Sequence, residues 1–305
     1  VSSVWFSIIE QEAQRHLLSA QLESSETFLE LVELRFGQGR ASAVDVFQQR
    51  GQTASVRTQF PVVESRREVL QNQLAVLLGR SPTEDIPVET TELPSPPPIP
   101  KIGLPIELLD RRPDILSARL RVGAADYRVA SAIADRLPAL RLSGNSNYGD
   151  NEVSDLFSNW LWNVAGNLMT PILDGGRRQA EVVRTRAVVT ERLHQYEKTV
   201  LVAMQEVENA VAQEREQGNY IKELRDQIAI AQETLDSSQA RYVNGQSDYL
   251  PVLTALQALQ RLQRSEITAR LNLLLYRIDL YKALGGNWTT ELSPHVSVAY
   301  EGADK

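Results

Sequence analysis

The chain has 305 residues, a length that suits about two domains. It carries 32 Lys and Arg against 39 Asp and Glu; the resulting charge of −7 lacks the basic footprint of a general nucleic-acid binder. Hydrophobic residues make up 42%, too many for a disordered chain, and the absence of cysteine excludes disulfides, thiolate metal sites and cysteine nucleophiles within this chain. His16, His194 and His295 stand at unrelated spacings and build no metal site.

The first residues, Val1-Ser2-Ser3-Val4-Trp5-Phe6, show no Met, no basic n-region and no small-residue cleavage site. An amphipathic pattern already runs at residue 4, which predicts that the chain begins inside a longer protein. No apolar run is long enough for a transmembrane helix. Residues 1–92 read as helix, tight turn, helix, with the turn at Gly39 and the end at Leu78-Gly79. A Pro-rich connector follows over residues 93–111, from Leu93-Pro94-Ser95-Pro96-Pro97-Pro98, and is expected to be extended and semi-rigid. Residues 112–137 are predicted to form a helix, with Pro113 in the first turn, where its missing N–H is harmless.

Between residues 138 and 173 the period changes to two. Leu140, Leu142, Gly144, Ser146 and Tyr148 share one face, and Arg141, Ser143, Asn145 and Asn147 the other. After a polar loop, Trp160, Trp162, Val164, Gly166, Leu168 and Ile172 share a face, with Asn163 and Asn167 opposite. Such a pair fits a hairpin of a transmembrane β-barrel, with the tryptophans in an aromatic girdle; it fits equally a soluble two-stranded sheet resting on a helix.

Residues 174–288 again read as helix, turn, helix. Leu193, Tyr196, Val200, Met204, Val207 and Val211 form a heptad-like stripe, continued by Ile221, Leu224, Ile228, Ala231 and Leu235. A helix from about Gly176 to Tyr242 would be on the order of 100 Å long. The turn falls at Gly245, and the returning arm ends at Leu284-Gly285-Gly286. This second hairpin repeats the first at a constant spacing of 206 residues: Arg35-Phe36-Gly37-Gln38-Gly39 aligns with Arg241-Tyr242-Val243-Asn244-Gly245, and Leu78-Gly79 with Leu284-Gly285. The tail, 289–305, is polar. Asp174-Gly175-Gly176 reads as a helix cap with turn glycines and needs no phosphate. There is no Gly-x-Ser-x-Gly, no Walker loop and no convergent histidine–carboxylate set, so neither an enzyme nor a cofactor is expected.

Four segments in order resemble the outer-membrane factors of the TolC family, and more closely their OprM-like or NodT-like lipoprotein branch. These are Gly103-Leu104-Pro105 with Leu108-Leu109 and Arg111-Arg112-Pro113-Asp114-Ile115; Pro171-Ile172-Leu173-Asp174-Gly175-Gly176-Arg177; Tyr196-Glu197-Lys198 with Gln205-Glu206-Val207-Glu208-Asn209-Ala210; and Tyr281-Lys282-Ala283-Leu284-Gly285-Gly286-Asn287-Trp288. The chain departs from the family at Ala134-Asp135-Arg136-Leu137-Pro138, where an alanine-rich run is usual, and it shows one strand pair where the family has two.

The resemblance implies a mainly α fold with a β-hairpin: two long antiparallel helical hairpins of a TolC-like trimeric α-barrel and one strand pair of a transmembrane β-barrel. The family's lipid-bearing cysteine, first helix and first strand pair would lie upstream of Val1. It implies an exit duct of a tripartite efflux pump in the bacterial outer membrane, extending into the periplasm. The partners would be two further copies, a periplasmic adaptor (membrane fusion) protein, an inner-membrane transporter of the RND type and outer-membrane lipid, with no nucleic acid. Carried over residue by residue, Asp45 takes the place of a gate-linking aspartate, Tyr242 that of its tyrosine partner, and Leu250 that of an apolar constriction. The family's selectivity aspartate falls on Thr254 and its latch arginine on Ser247, which leaves Asp248 to replace the acidic ring. Gly39 and Gly245 stand at the hairpin tips that would meet the adaptor. Asp45 also reads as a solvated helix-turn acid and Tyr242 as hairpin packing. A pore-free coiled-coil scaffold accounts for the heptads alone, and an adaptor for a single hairpin.

Overall fold

The computed structural model describes residues 1–82, 88, 90, 92–98, 112–148, 160–170 and 172–286. The motif at 103–109, Arg111, Pro171, Asn287-Trp288 and the tail 289–305 lie outside the described residues. The chain divides into two units: one formed by the stretch up to residue 102 with Gln205–Gly286, the other by the stretch between.

In the first unit, α1 (Ser2–Gly37) turns back through α2 (Ala43–Arg57) and α3 (Gln59–Leu77). Their antiparallel course follows from which side chains meet. Ile8 packs on Leu74 and Ala75, Leu18 on Val56 and Val63, and Phe28 and Val32 lie with Val46. Sequence alone predicts one returning helix; the structure breaks it at Thr58. Pro61 is the reason: it has no N–H to donate to the Arg57 carbonyl, and its ring crowds that oxygen. The second hairpin pairs the end of α5 (Arg177–Val243, 67 residues) with α6 (Leu250–Ala283), Ile221 and Leu224 meeting Ala269.

The repeat extends to hydrogen bonds. After α1, Arg40 N–H reaches the Arg35 carbonyl (2.8 Å) and Gly39 N–H the Phe36 carbonyl (2.9 Å); after α5, Gln246 reaches Arg241 (2.8 Å) and Gly245 reaches Tyr242 (3.0 Å). Both glycines sit in the left-handed region, with φ +71° and +72°, which closes this six-to-one helix end without a Cβ clash.

Two arginines tie the connector to α6. Arg270 donates to the Leu93 carbonyl (2.6 Å) while Leu93 packs with Ile9, Leu271 and Leu274. Arg277 donates to the Pro97 and Pro98 carbonyls and, through Nε, to Glu214 (2.9 Å). Proline supplies acceptors with no donor to compete, which suits an arginine.

The second unit holds α4 (Pro113–Ala134), β1 (Ala139–Tyr148), β2 (Trp160–Met169) and the start of α5. Pro113 occupies the first turn of α4. The strands pair antiparallel, with Leu140 opposite Leu168, Leu142 opposite Gly166, Gly144 opposite Val164 and Ser146 opposite Trp162. This register brings the two alternating apolar sets onto one face. Asp174 caps α5, accepting from Gly176 N–H (3.0 Å) and Arg178 N–H (3.2 Å). Among the described residues no helix is long and apolar enough to cross a membrane.

Candidate functional site: the hairpin tips and a polar seam

The two glycine turns lie beside a shared cluster. Phe28 and Val32 of α1, Val46 of α2, Leu235 and Tyr242 of α5, and Val252, Leu256 and Leu259 of α6 are buried together with Tyr249. The rings of Phe28, Tyr242 and Tyr249 lie 5.6–6.4 Å apart, at tilted, stacked and edge-on angles. Tyr242, just before the second turn, is buried in this cluster and closes that hairpin end; Phe36, its counterpart before the first turn, is 49% exposed.

Asp45 and Tyr242 come near one another without bonding. Ser42 caps α2, its hydroxyl accepting from Asp45 N–H (3.2 Å), and the Asp45 carboxylate accepts from Ser42 N–H (3.1 Å) and its hydroxyl (2.9 Å). The Tyr242 hydroxyl is buried and has no hydrogen-bond partner among the described residues. In this structure the Asp45 carboxylate sits in the capping box and makes no hydrogen bond to Tyr242. What joins the hairpins instead is Arg35, which lies 4.8 Å over the Tyr242 ring and donates to the Val243 carbonyl (2.7 Å). Burial, and then the Asp45 charge, push the Tyr242 phenol above its ordinary value, with Arg35 opposing. Leu250 and Asp248 are exposed beside the second turn, as are Gly39 and Gly245. Thr254 is spent on the Leu250 carbonyl (2.9 Å), and the Ser247 hydroxyl is buried with no partner.

Sequence reasoning missed the strongest polar feature. Besides the apolar clusters that join the hairpins, a run of amides links α1 and α2 to one another and to α6. Gln49 donates to the Ser25 carbonyl (2.6 Å) and accepts from the buried Tyr249 hydroxyl. Gln52 donates to Gln260 (2.8 Å), Gln257 donates to Gln52 (2.9 Å), and Gln21 bridges the Gln260 carbonyl (3.2 Å) and Gln263 (2.9 Å). Arg264 donates to Gln21 (2.8 Å), and Gln14 donates to the Arg264 carbonyl (3.0 Å). The available signal was the recurrence of glutamine at buried helical positions, among them Gln14 and Gln21 one heptad apart.

Tyr249 gives a test of the seam. Removing its hydroxyl leaves the Gln49 oxygen buried without a donor, so Tyr249→Phe is expected to cost about 1–3 kcal/mol in urea unfolding near neutral pH. Burial holds the Tyr249 phenol well above 10, with Tyr242 and Asp45 adding to it. A raised tyrosine favours folding only while neutral, so stability falls as pH rises above about 10, where the unfolded phenol ionises. Tyr249→Phe is expected to flatten that alkaline loss. A wild-type stability near neutral pH would count against a buried hydrogen bond here.

Comparison with known proteins follows the same lines. A family model described as outer membrane efflux protein matches residues 104–286. The chain is 32% identical over 297 residues to the pyoverdine export outer membrane protein OpmQ of Pseudomonas aeruginosa, covering 95% of this chain and 61% of the relative. It is 29% identical over 254 residues to nodulation protein T of Rhizobium leguminosarum bv. trifolii, covering 82% of this chain and 54% of the relative. The fold is similar to a crystal structure of a membrane protein from Pseudomonas aeruginosa, with a TM-score of 0.83 at 28% identity over 93% of this chain and 66% of that one. The chain thus spans less than two thirds of the length of these relatives.

Proposed function

Since the chain belongs to the outer membrane efflux protein family, we propose that it forms the greater part of one protomer of a trimeric exit duct in the bacterial outer membrane. The observation that carries this reading is the strand pair. Leu140, Leu142, Val164 and Leu168 share one face and are each 67–75% exposed, which is costly in water and natural against lipid. The other face bears Arg141, Ser143, Asn145 and Asn163, as a water-filled lumen requires. Closure of the barrel needs strands from further copies, because an open sheet edge cannot sit in lipid.

The duct works passively. It binds no cofactor and breaks no bond in its cargo; it supplies a water-filled path and a closable end. We place the gate at the hairpin tips, with Asp45, Tyr242, Asp248 and Leu250 in it. There Gly39 and Gly245 offer the turns to a periplasmic adaptor, which links the duct to an inner-membrane transporter of the RND type. The polar seam suits movement at this end. Each amide hydrogen bond contributes only about 0.5–1.5 kcal/mol net and can pass to a neighbouring amide or to water, while the apolar cluster of Phe28, Val32, Val252 and Leu256 must unpack for the hairpins to slide. Asp45 acts on the tip through its capping box and through its charge beside the tyrosines.

Native mass spectrometry of the full-length gene product, extracted in mild detergent, tests the assembly. A trimer supports the duct; a monomer or dimer that is soluble without detergent favours the coiled-coil scaffold. In planar bilayers, Asp45→Ala combined with Tyr242→Phe is expected to raise the leak conductance of that trimer. An unchanged single-channel current would remove these two residues from the gate.

A further inference from the structure

Away from the tips, α1, α3, α5 and α6 surround a cavity of about 500 Å³. Its charge is unusual for a helical wall. Arg66 comes from α3, and Arg261 and Arg264 from α6; among the described residues none of the three has a carboxylate within ion-pair distance. The lining acid, Glu10, is 5% exposed and is already satisfied by neutral donors: Gln14 at 3.0 Å, Thr268 at 3.2 Å and the Gln11 amide. Arg264 is half-buried, and among the described residues its guanidinium donates to one side chain, the neutral Gln21 oxygen. Burial, and then the charge of Arg261, disfavour its guanidinium. An anion beside Arg261 and Arg264 would relieve both effects.

The remaining lining is mixed: Val62, Val63, Ala269 and Tyr220 stand beside the polar Gln59, Ser265 and Asn272. The volume lies in the range of small-molecule sites, and guanidinium pairs are matched to planar carboxylates. We propose that this cavity binds a small amphipathic organic anion, its carboxylate or sulfonate held by Arg261 and Arg264 and its apolar body lying against Tyr220 and Val62.

The test is calorimetric titration of the full-length trimer in detergent with 2-naphthoate, with 2-naphthalenemethanol as the neutral counterpart. Saturable binding at one site per protomer is expected, with the alcohol at least roughly tenfold weaker and the affinity falling with added salt. Arg261→Gln and Arg264→Gln are each expected to weaken 2-naphthoate about tenfold, a single charge-assisted contact being of that order. Arg264→Gln also gives up the bond to Gln21 and can disturb folding; Arg261 is exposed and its variant keeps the question answerable. Equal affinity for acid and alcohol, non-saturable uptake, or an affinity unchanged in Arg261→Gln overturns the site. Single-channel recording on the same preparation separates this outcome from failure of the duct: a conducting trimer that ignores 2-naphthoate rejects the site alone.

Discussion

Arg277→Ala is expected to destabilise the first unit by about 3–5 kcal/mol, read as a shift in the urea midpoint, because it strands the Glu214 carboxylate in the packed wall. Both side chains are 5% exposed, and the guanidinium meets the carboxylate at two nitrogens, with Nε at 2.9 Å. Its remaining nitrogen serves the Pro97 and Pro98 carbonyls, so the substitution also releases the connector from α6. Glu214→Ala is expected to cost a similar amount by the opposite route, leaving the cation unpaired. The double variant Arg277→Met with Glu214→Leu is expected to recover most of the loss at the pair, since well-packed apolar side chains can replace a buried ion pair at little cost. A loss under about 1 kcal/mol for either single variant would mean that water reaches the pair.

Leu142→Arg with Val164→Arg is expected to stop insertion of the strand pair. Each arginine costs about 2–4 kcal/mol near the middle of a bilayer, and the two residues lie on the same face, at 75% and 74% exposure. Ser143→Arg, one residue away and on the opposite face, is expected to insert normally, since a water-filled lumen accepts the charge. The measurement is the fraction of full-length protein recovered in outer-membrane fractions. Equal recovery of the two variants would mean that the apolar face does not meet lipid.

The contrast between these two experiments matches what could and could not be read in advance. The faces of β1 and β2 were legible because strand side chains alternate strictly; the register, with Leu142 opposite Gly166, came only with the pairing of the strands. The ends of α5 were legible for a similar local reason: Asp174 caps one end and Gly245 turns the other, within one residue of the expected span. The break at Thr58 was also written locally, in Pro61. Arg277 and Glu214 carried no such mark. They stand 63 positions apart, and each by itself reads as an ordinary solvated charge.

The tips show the same division at finer grain. That Asp45 and Tyr242 both approach the turn region followed from the repeat and the resemblance. That Asp45 is held by Ser42, while Arg35 lies over Tyr242, depends on angles between helices that no period encodes.

Periodicity and turn glycines are properties of neighbouring residues, and with the 206-residue repeat they were sufficient for two helical hairpins and one two-faced strand pair, while the family was carried by four motif segments in order. Which polar side chains would meet was decided only when α1 came to lie on α6. Until then Gln14, Gln21, Gln260 and Arg264 were indistinguishable from surface residues. A buried amide is stable only with its partner in place, and that partner lies some 240 to 250 residues away along the chain.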